Sequence, residues 1–169
     1  SMVNKGLEVI EARWLFDVNP DDINVVVQPQ SIIHSMVEYR DGAVIAQLGT
    51  ADMRLPIQYA LFYPERRYLR GDRLDFSKLS EIEKPDMDTF LGLKYAYEAI
   101  KTGGLMPTVL NAANEKAVAL FLQEKIQFLD IYTLIRESMD NCVNMENPQL
   151  GDIFDMEQWV YNFIESRCR

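Results

Sequence analysis

Four apolar stripes at helical spacing occupy the last half of the chain, and they limit its fold more than any other feature. Large apolar side chains recur every three or four residues in four groups between Phe90 and Ile164. That period places each group on one face of an α-helix. Gly103-Gly104 follows the first stripe and can adopt the left-handed conformation that ends helices. Because each stripe must be buried against another element, the pattern predicts a small four-helix bundle.

Three features mark the expected starts of the later helices. Pro107 suits a first helical turn, where its missing N–H is not needed. Asp130 is a candidate N-cap for the third helix. Asp155 and Gln158 have the spacing of a capping box. The last helix is therefore expected to begin just after Asp155.

The first half of the chain contains short extended segments. Residues 32–39 and 43–48 are rich in apolar and β-branched side chains and are joined through Asp41-Gly42, a dipeptide typical of hairpin turns. They are expected to pair as antiparallel strands, and Ile23 to Gln28 is a further candidate strand. The sequence thus predicts an α+β fold, in which a small, largely antiparallel sheet with a flanking helix is joined by a linker arm to a C-terminal four-helix bundle.

Prolines and arginines set the segment between these halves apart. Residues 54–85 contain three prolines, and the four arginines between residues 66 and 73 are interspersed with Asp72 and Asp75. This composition is typical of a connecting arm, and the arginines are expected to be solvated. We therefore predict three parts, namely residues 1–53, an arm over 54–85 and a helical domain over 86–169.

Charge and cysteine content narrow the classes of partner. The chain has 26 acidic and 17 basic residues and a net charge of -9, which opposes attraction to nucleic acid or anionic membranes. No apolar run approaches the roughly 18 residues needed to span a bilayer. Cys142 and Cys168 lack metal-ligand spacing and are typical of reduced cytosolic thiols, although a bridge between them stays open. A cytoplasmic protein without nucleic-acid or membrane partners is expected.

Three polar side chains of different chemistry meet at the start of the first predicted helix. Asn4 and Glu8 share a face one turn apart, and Lys5 lies beside them. Free N–H groups and the helix dipole favour an anion such as phosphate there, and Asn4 and Lys5 add donors. Glu8 would repel phosphate, so it better suits a hard divalent cation that bridges to substrate oxygens. From these residues alone, an ordinary solvated helix face is the alternative.

Five segments, in order and at similar spacing, resemble the 1-deoxy-D-xylulose 5-phosphate reductoisomerase family. The resemblance runs in register through most of the chain and weakens after about Cys142. In that family the dinucleotide-binding domain and the rest of the metal site precede the first matched segment, so the resemblance implies a C-terminal part of such an enzyme. The segments are 4–16 (NKGLEVIEARWLF), 28–37 (QPQSIIHSMV), 47–49 (QLG), 52–57 (DMRLPI) and 110–115 (LNAANE).

This resemblance implies an NADPH-dependent oxidoreductase and isomerase that also needs Mg²⁺ or Mn²⁺. Such enzymes rearrange and reduce 1-deoxy-D-xylulose 5-phosphate to 2-C-methyl-D-erythritol 4-phosphate in non-mevalonate isoprenoid biosynthesis. The implied partners are a phosphorylated sugar substrate and a second copy of the enzyme in a homodimer to which the sheet contributes.

The resemblance also implies roles for residues of the first helix. Glu8 is the implied metal ligand, and Lys5 and Glu8 are implied catalytic residues. Asn4 and Lys5 are expected to bind the phosphate and hydroxyl end of the substrate.

Three further residues receive roles from the same resemblance. Ser31 and His34 are implied to lie in the substrate site, with His34 as a catalytic residue that positions groups through hydrogen bonds. Met53 is implied to lie against the nicotinamide. Position alone allows plainer interpretations, since His34 could be a hydrogen-bonded core histidine and Met53 an ordinary apolar filler.

Taken alone, the chain is not expected to be active. Its eight glycines contain no G-x-G-x-x-G turn for a dinucleotide, and one carboxylate cannot hold Mg²⁺ tightly. A hypothesis of another class is a non-catalytic helical interaction or dimerisation module. In that case Asn4, Lys5 and Glu8 would merely form a solvated helix face.

Overall fold

The computed structural model describes residues 1–76, 79 and 81–168, and it confirms the predicted α+β class. The chain divides into two compact units. The helical unit comprises Ser1–Asn24 and the chain from Asp86 onwards, and the hairpin unit comprises Val25–Pro85. The elements are α1 (Val3–Phe16), a 3₁₀ turn (Pro20–Asp22), β1 (Ile33–Glu38), β2 (Val44–Leu48), α2 (Arg54–Phe62), α3 (Leu91–Thr102), α4 (Met106–Leu122), α5 (Asp130–Asn141) and α6 (Leu150–Arg167).

One continuous apolar core holds the helical unit together. Helix α4 contacts α1, α3, α5 and α6, so each neighbour can bury its stripe against it. Leu110 of α4, Ile135 of α5 and Ile164 of α6 are fully buried in this core. Gly103 and Gly104 have positive φ angles of 70° and 61°, as expected for the end of α3.

Helix α1 joins this core, which differs from the predicted four-helix bundle and from the predicted 1–53 part. Val3 and Val9 are buried, and Leu7 and Ile10 pack against the core. The described part of the helical unit therefore has five α-helices. The stripe on α1 indicated that the helix needs a partner but not which partner. The second division between the two units falls between Pro85 and Asp86.

Two of the predicted helix starts are wrong. Asp130 is the first residue of α5 rather than its cap, and its carboxylate accepts a hydrogen bond from the Gln127 N–H at 2.8 Å. Helix α6 begins at Leu150, six residues earlier than predicted, with a capping box formed by Gln149 and Asp152. Gln is a weaker signal for an N-cap than Asp, Asn, Ser or Thr. For that reason the sequence pattern favoured Asp155 as the N-cap instead of Gln149.

The hairpin unit is built around β1 and β2, which pair antiparallel as predicted. Gly42 has φ 84° in the connecting loop, which satisfies the left-handed position of a three-residue hairpin loop. The predicted strand from Ile23 to Gln28 is wrong, because only Val27 pairs, in an isolated bridge with Glu83. The predicted arm contains α2, and its residues 77, 78 and 80 lie outside the described residues.

Candidate functional site

The structure brings Asn4, Lys5 and Glu8 together on the exposed face of α1. The Asn4 amide donates to Glu8 Oε1 at 3.1 Å, and the Lys5 ammonium forms an ion pair with Glu8 Oε2. The Lys5 and Glu8 side chains are 44% and 47% exposed. Glu8 therefore points to solvent with both oxygens held by neighbouring donors, and not into the core.

This cluster lies in the first turns of α1. The first intrahelical hydrogen bond there runs from the Gly6 N–H to the Met2 carbonyl at 3.1 Å. The N–H groups of Asn4 and Lys5 precede that bond and lie at the positive end of the helix dipole. The cluster thus combines one hard carboxylate ligand with donors that suit an anionic or hydroxylated ligand.

The described residues do not form a complete metal site by themselves. Among its residues no group of three or more His, Cys, Asp or Glu side chains is placed to hold a metal ion. Mg²⁺ keeps an octahedral oxygen shell and is usually bound through one or two carboxylates, waters and substrate oxygens. Glu8 fits such a site as one carboxylate ligand among several, and Asn4 and Lys5 fix its orientation.

Ser31 lies in the hairpin unit, in a turn that Gln28 braces. Gln28 Oε1 accepts from the N–H groups of Ile32 at 3.0 Å and Ile33 at 2.9 Å, and the Ser31 N–H donates to the Gln28 carbonyl at 2.9 Å. Ser31 has φ 52°, an uncommon conformation for a residue with a side chain. The Gln28 side chain therefore holds a strained turn that displays Ser31. Sequence reasoning missed this role, although Gln28 stands in one of the segments that carry the resemblance.

His34 is the extra residue of a β-bulge at the start of β1. Ile33 pairs with Leu48 and Ser35 with Gln47, so His34 has no partner of its own on β2. A bulge turns a side chain away from the regular alternation of a strand, and bulges are over-represented beside active sites. His34 is exposed, which excludes the core interpretation within this unit. Its Nε2 lies 3.2 Å from the Gly49 carbonyl, an acceptor, so Nε2 carries the proton.

Met53 is 72% exposed just before α2, so within this unit it is not an apolar filler. Asp52 and Arg54 on either side of it form an ion pair, with Arg54 Nη2 2.6 Å from Asp52 Oδ2. Asp52 also accepts from the Arg54 backbone N–H at 3.0 Å. The hydrogen bonds from the Arg54 side chain, and then from its backbone, hold the pKa of Asp52 below its usual value. The ion pair between Asp52 and Arg54 fixes the backbone on both sides of Met53. In the sequence, the only sign of this interaction is the Asp-x-Arg spacing.

The six predicted site residues thus form two sets in different units. Asn4, Lys5 and Glu8 contact one another in the helical unit. Ser31, His34 and Met53 lie in the hairpin unit. Ser31 is in the turn held by the Gln28 side chain, His34 is in the β-bulge, and Met53 lies between the ion-paired Asp52 and Arg54.

The sequence of this chain matches a known family of metabolic enzymes. Residues 48–163 match the sequence profile of the DXP reductoisomerase C-terminal domain, where DXP is 1-deoxy-D-xylulose 5-phosphate. This match covers more than half of the chain and includes Met53 and helices α2 to α5. The chain therefore belongs to the DXP reductoisomerase family.

Curated relatives carry the name of the same enzyme. The 1-deoxy-D-xylulose 5-phosphate reductoisomerase of Agathobacter rectalis is 60% identical in an alignment 169 positions long that covers 99% of this chain and 44% of that protein. The same-named protein of Clostridium botulinum, strain Alaska E43, is 62% identical in an alignment 172 positions long that covers 97% of this chain and 44% of that protein. The chain thus spans less than half the length of these relatives.

Solved structures of this enzyme share the fold. The enzyme from Zymomonas mobilis in complex with NADPH has a TM-score of 0.90 at 42% identity, over 99% of this chain and 45% of that one. Another structure, in complex with NADPH, fosmidomycin and magnesium, has a TM-score of 0.89 at 40% identity, over 99% of this chain and 44% of that one.

None of the helices in the described residues has the length and apolar content of a membrane-spanning helix.

Proposed function

We propose that this chain contributes part of the active site of a 1-deoxy-D-xylulose 5-phosphate reductoisomerase, an NADPH-dependent oxidoreductase and isomerase of non-mevalonate isoprenoid biosynthesis. Its family and the relatives solved with NADPH and magnesium support this assignment. The observation that carries it is the exposed cluster of Asn4, Lys5 and Glu8 at the start of α1. A phosphorylated sugar with adjacent carbonyl and hydroxyl oxygens suits that combination of carboxylate, ammonium and amide.

Glu8 is the ligand that this chain offers to Mg²⁺ or Mn²⁺. When bound, the divalent cation polarises the carbonyl and hydroxyl oxygens of the substrate for rearrangement. The Asn4 amide keeps the Glu8 carboxylate in one orientation, and the Lys5 ammonium neutralises that carboxylate while no cation is present. Asn4 and Lys5 then donate to the phosphate and hydroxyl end of the substrate, where charge-assisted hydrogen bonds are strong.

Ser31, His34 and Met53 complete this chain's contribution. Because His34 Nε2–H is engaged by Gly49, the Nδ1 atom of the neutral ring can accept a hydrogen bond from a substrate hydroxyl. The hydroxyl of Ser31 can donate to and accept from the same substrate. The exposed thioether of Met53 offers an apolar seat for the nicotinamide of NADPH, which supplies the hydride when it is bound.

We further infer a cytoplasmic homodimer in which the hairpin contributes to the interface. Val37 and Ile45 are directly opposite each other in the hairpin and are 57% and 64% exposed. Exposed apolar side chains that are contiguous typically mark a surface for a partner. The same residues favour the second candidate, a non-catalytic dimerisation module, because such a module would need this surface and not Glu8. The net charge of -9 speaks against a nucleic-acid partner in either case.

A chimaeric enzyme tests the proposal. This chain would replace the matching 44% of the Agathobacter rectalis enzyme, and NADPH oxidation would be followed in the presence of substrate and Mg²⁺. We expect substrate- and metal-dependent turnover, and at least a 100-fold loss of kcat/KM in Glu8→Gln, since a charged group that acts on the transition state is removed without loss of shape. Glu11→Gln is the matched control, because Glu11 is also exposed on α1.

Two outcomes would contradict the assignment. Turnover in Glu8→Gln equal to that in Glu11→Gln would remove the metal-ligand role. A chimaera that folds and dimerises but has no NADPH oxidation would favour the non-catalytic module.

A further inference from the structure

Helices α1 and α3 cross with almost no space between their backbones. A Cβ atom added to Gly6 of α1 would lie 2.3 Å from the Cβ of Ala96 in α3. Real Cβ atoms essentially never approach that closely, and the Ala96 methyl group cannot rotate away. Ala96 is fully buried, so any side chain at position 6 would have to push the two helices apart.

A second contact of the same kind lies one turn along the crossing. A Cβ atom on Gly92 of α3 would lie 2.4 Å from Val3 Cγ2 and 2.7 Å from the Ser1 carbonyl oxygen. Val3 is itself fully buried. One glycine in each helix therefore permits the approach, although glycine weakens a helix interior.

The crossing lies on the side of α1 opposite the polar cluster. Asn4 and Glu8 are each two residues from Gly6, which is about 200° around a helix with 3.6 residues per turn. Both side chains consequently project away from α3. A movement that separates α1 from α3 carries the Glu8 carboxylate outward along the direction in which it points.

We propose that Gly6 and Gly92 are positioning residues for the reaction. Because they lack side chains, they set the distance between α1 and α3, and that distance determines the position of Glu8. This inference rests on the function proposed above. A divalent cation tolerates little displacement of a ligand, and a misplacement of about 1 Å in an active site can cost about 100-fold in rate. The contact distances at Gly6 require a displacement of that order.

Gly6→Ala in the chimaeric enzyme tests this inference directly. We expect kcat/KM to fall about 10- to 100-fold, and we expect both the Mg²⁺ concentration for half-maximal activity and the Kd for Mn²⁺, followed by electron paramagnetic resonance, to rise several-fold. The KM for NADPH should stay unchanged, because Met53 belongs to the other unit. Gly151→Ala is the matched control, since Gly151 also lies in a helix but an added Cβ there would have no neighbour within 4 Å.

A double variant that moves the methyl group from position 96 of α3 to position 6 of α1 should restore the activity lost in Gly6→Ala. In Gly6→Ala/Ala96→Gly, the new Cβ would be 3.4 Å from the Gly92 carbonyl oxygen and 3.7 Å from the Cα of residue 96, so the clash is gone. We expect the double variant to recover most of the Mg²⁺ dependence. Should Gly6→Ala not fold, Ala96→Gly alone loosens the crossing, and we expect a smaller rise in the Mg²⁺ requirement with the KM for NADPH unchanged.

Three results would overturn the inference while leaving the proposed function intact. They are unchanged Mg²⁺ dependence in folded Gly6→Ala, a parallel loss in Gly151→Ala, and a double variant no better than Gly6→Ala. A failure of the proposed function has a different signature, because the unsubstituted chimaera would then be inactive or Glu8→Gln would be active.

Discussion

The two units of this chain differ in where their apolar side chains lie. In the helical unit, Leu110 and Ile135 are fully buried in a core that all five helices share. In the described residues of the hairpin unit, Gly49 is the only buried residue, and Ile45 and Leu61 are 64% and 74% exposed. The helical unit thus closes its own core, whereas the hairpin unit presents its apolar residues outward.

The difference has a simple physical origin. A two-stranded hairpin is marginal in water, and the single nine-residue helix α2 cannot cover both of its faces. The four helices around α4 can bury their stripes against α4 and one another. The elements of the hairpin unit therefore cannot bury all of its apolar side chains, and Ser31, His34 and Met53 are exposed on this unit.

Separating the units should have the largest effect. Val27 and Glu83 exchange two backbone hydrogen bonds of 2.8 Å, so a short Gly/Ser linker can replace residues 28–82. We expect the shortened chain to unfold cooperatively with strong helical circular dichroism. A peptide of residues 25–85 should show no cooperative transition. Cooperative unfolding of that peptide would refute the contrast between the units.

Core truncation sharpens the same contrast. Leu110→Ala should lower the free energy of unfolding by about 2–5 kcal/mol, because it leaves a cavity in a fully buried site. Ile45→Ala in the hairpin should change it by no more than about 0.5 kcal/mol, since its side chain is largely exposed. Urea denaturation of the full chain measures both. Equal effects would contradict the location of the core.

Gln28 offers a test inside the hairpin unit. Gln28→Leu removes the acceptor of the Ile32 and Ile33 N–H groups, and leaving them unsatisfied should cost about 1–3 kcal/mol locally. Amide hydrogen exchange at Ile32 and Ile33 should therefore accelerate about tenfold or more. Gln47→Leu is the control, because the Gln47 amide donates to the adjacent Leu48 carbonyl. Unchanged exchange in Gln28→Leu would show that the turn is held by other contacts.

The smallest effect concerns alkaline pH. The Tyr161 hydroxyl, which has one proton to donate, lies 3.1 Å from a Glu115 carboxylate oxygen and 3.2 Å from a Glu157 carboxylate oxygen. Burial, and then these carboxylates, raise the pKa of Tyr161 from 10.0 to about 12. The folded state thus keeps a proton that the unfolded chain loses, so this contribution is complete below pH 10 and disappears as the pH approaches 12.

Urea midpoints between pH 9 and 11.5 measure that contribution. Tyr161→Phe should show a shallower decline of stability over this range than the unsubstituted chain. Identical declines would mean that the hydroxyl is not coupled to the two carboxylates. A variant in the other unit, Tyr39→Phe, should follow the unsubstituted chain.

Periodicity revealed the helical stripes and the hairpin, because both depend on local patterns. It could not show that α1 packs on α3, since the stripe on α1 would suit a sheet as well as a helix. The bulge at His34 depends on the register between two strands, which pattern alone does not fix. The close approach of α3 at Gly6 could not be predicted either. In a sequence, a glycine within a helical pattern indicates lower helix stability and does not by itself show that another helix packs closely there. The cluster of Asn4, Lys5 and Glu8 was predictable because one helical turn relates its members.

The binding of Mn²⁺ to the chimaeric enzyme, followed by electron paramagnetic resonance, tests the role of Glu8 most directly. Removing a carboxylate ligand without changing its shape should raise the Kd for Mn²⁺ at least tenfold in Glu8→Gln, whereas Glu11→Gln should bind as the unsubstituted enzyme does. Equal Mn²⁺ affinity in all three proteins would contradict the assignment of Glu8 as a metal ligand.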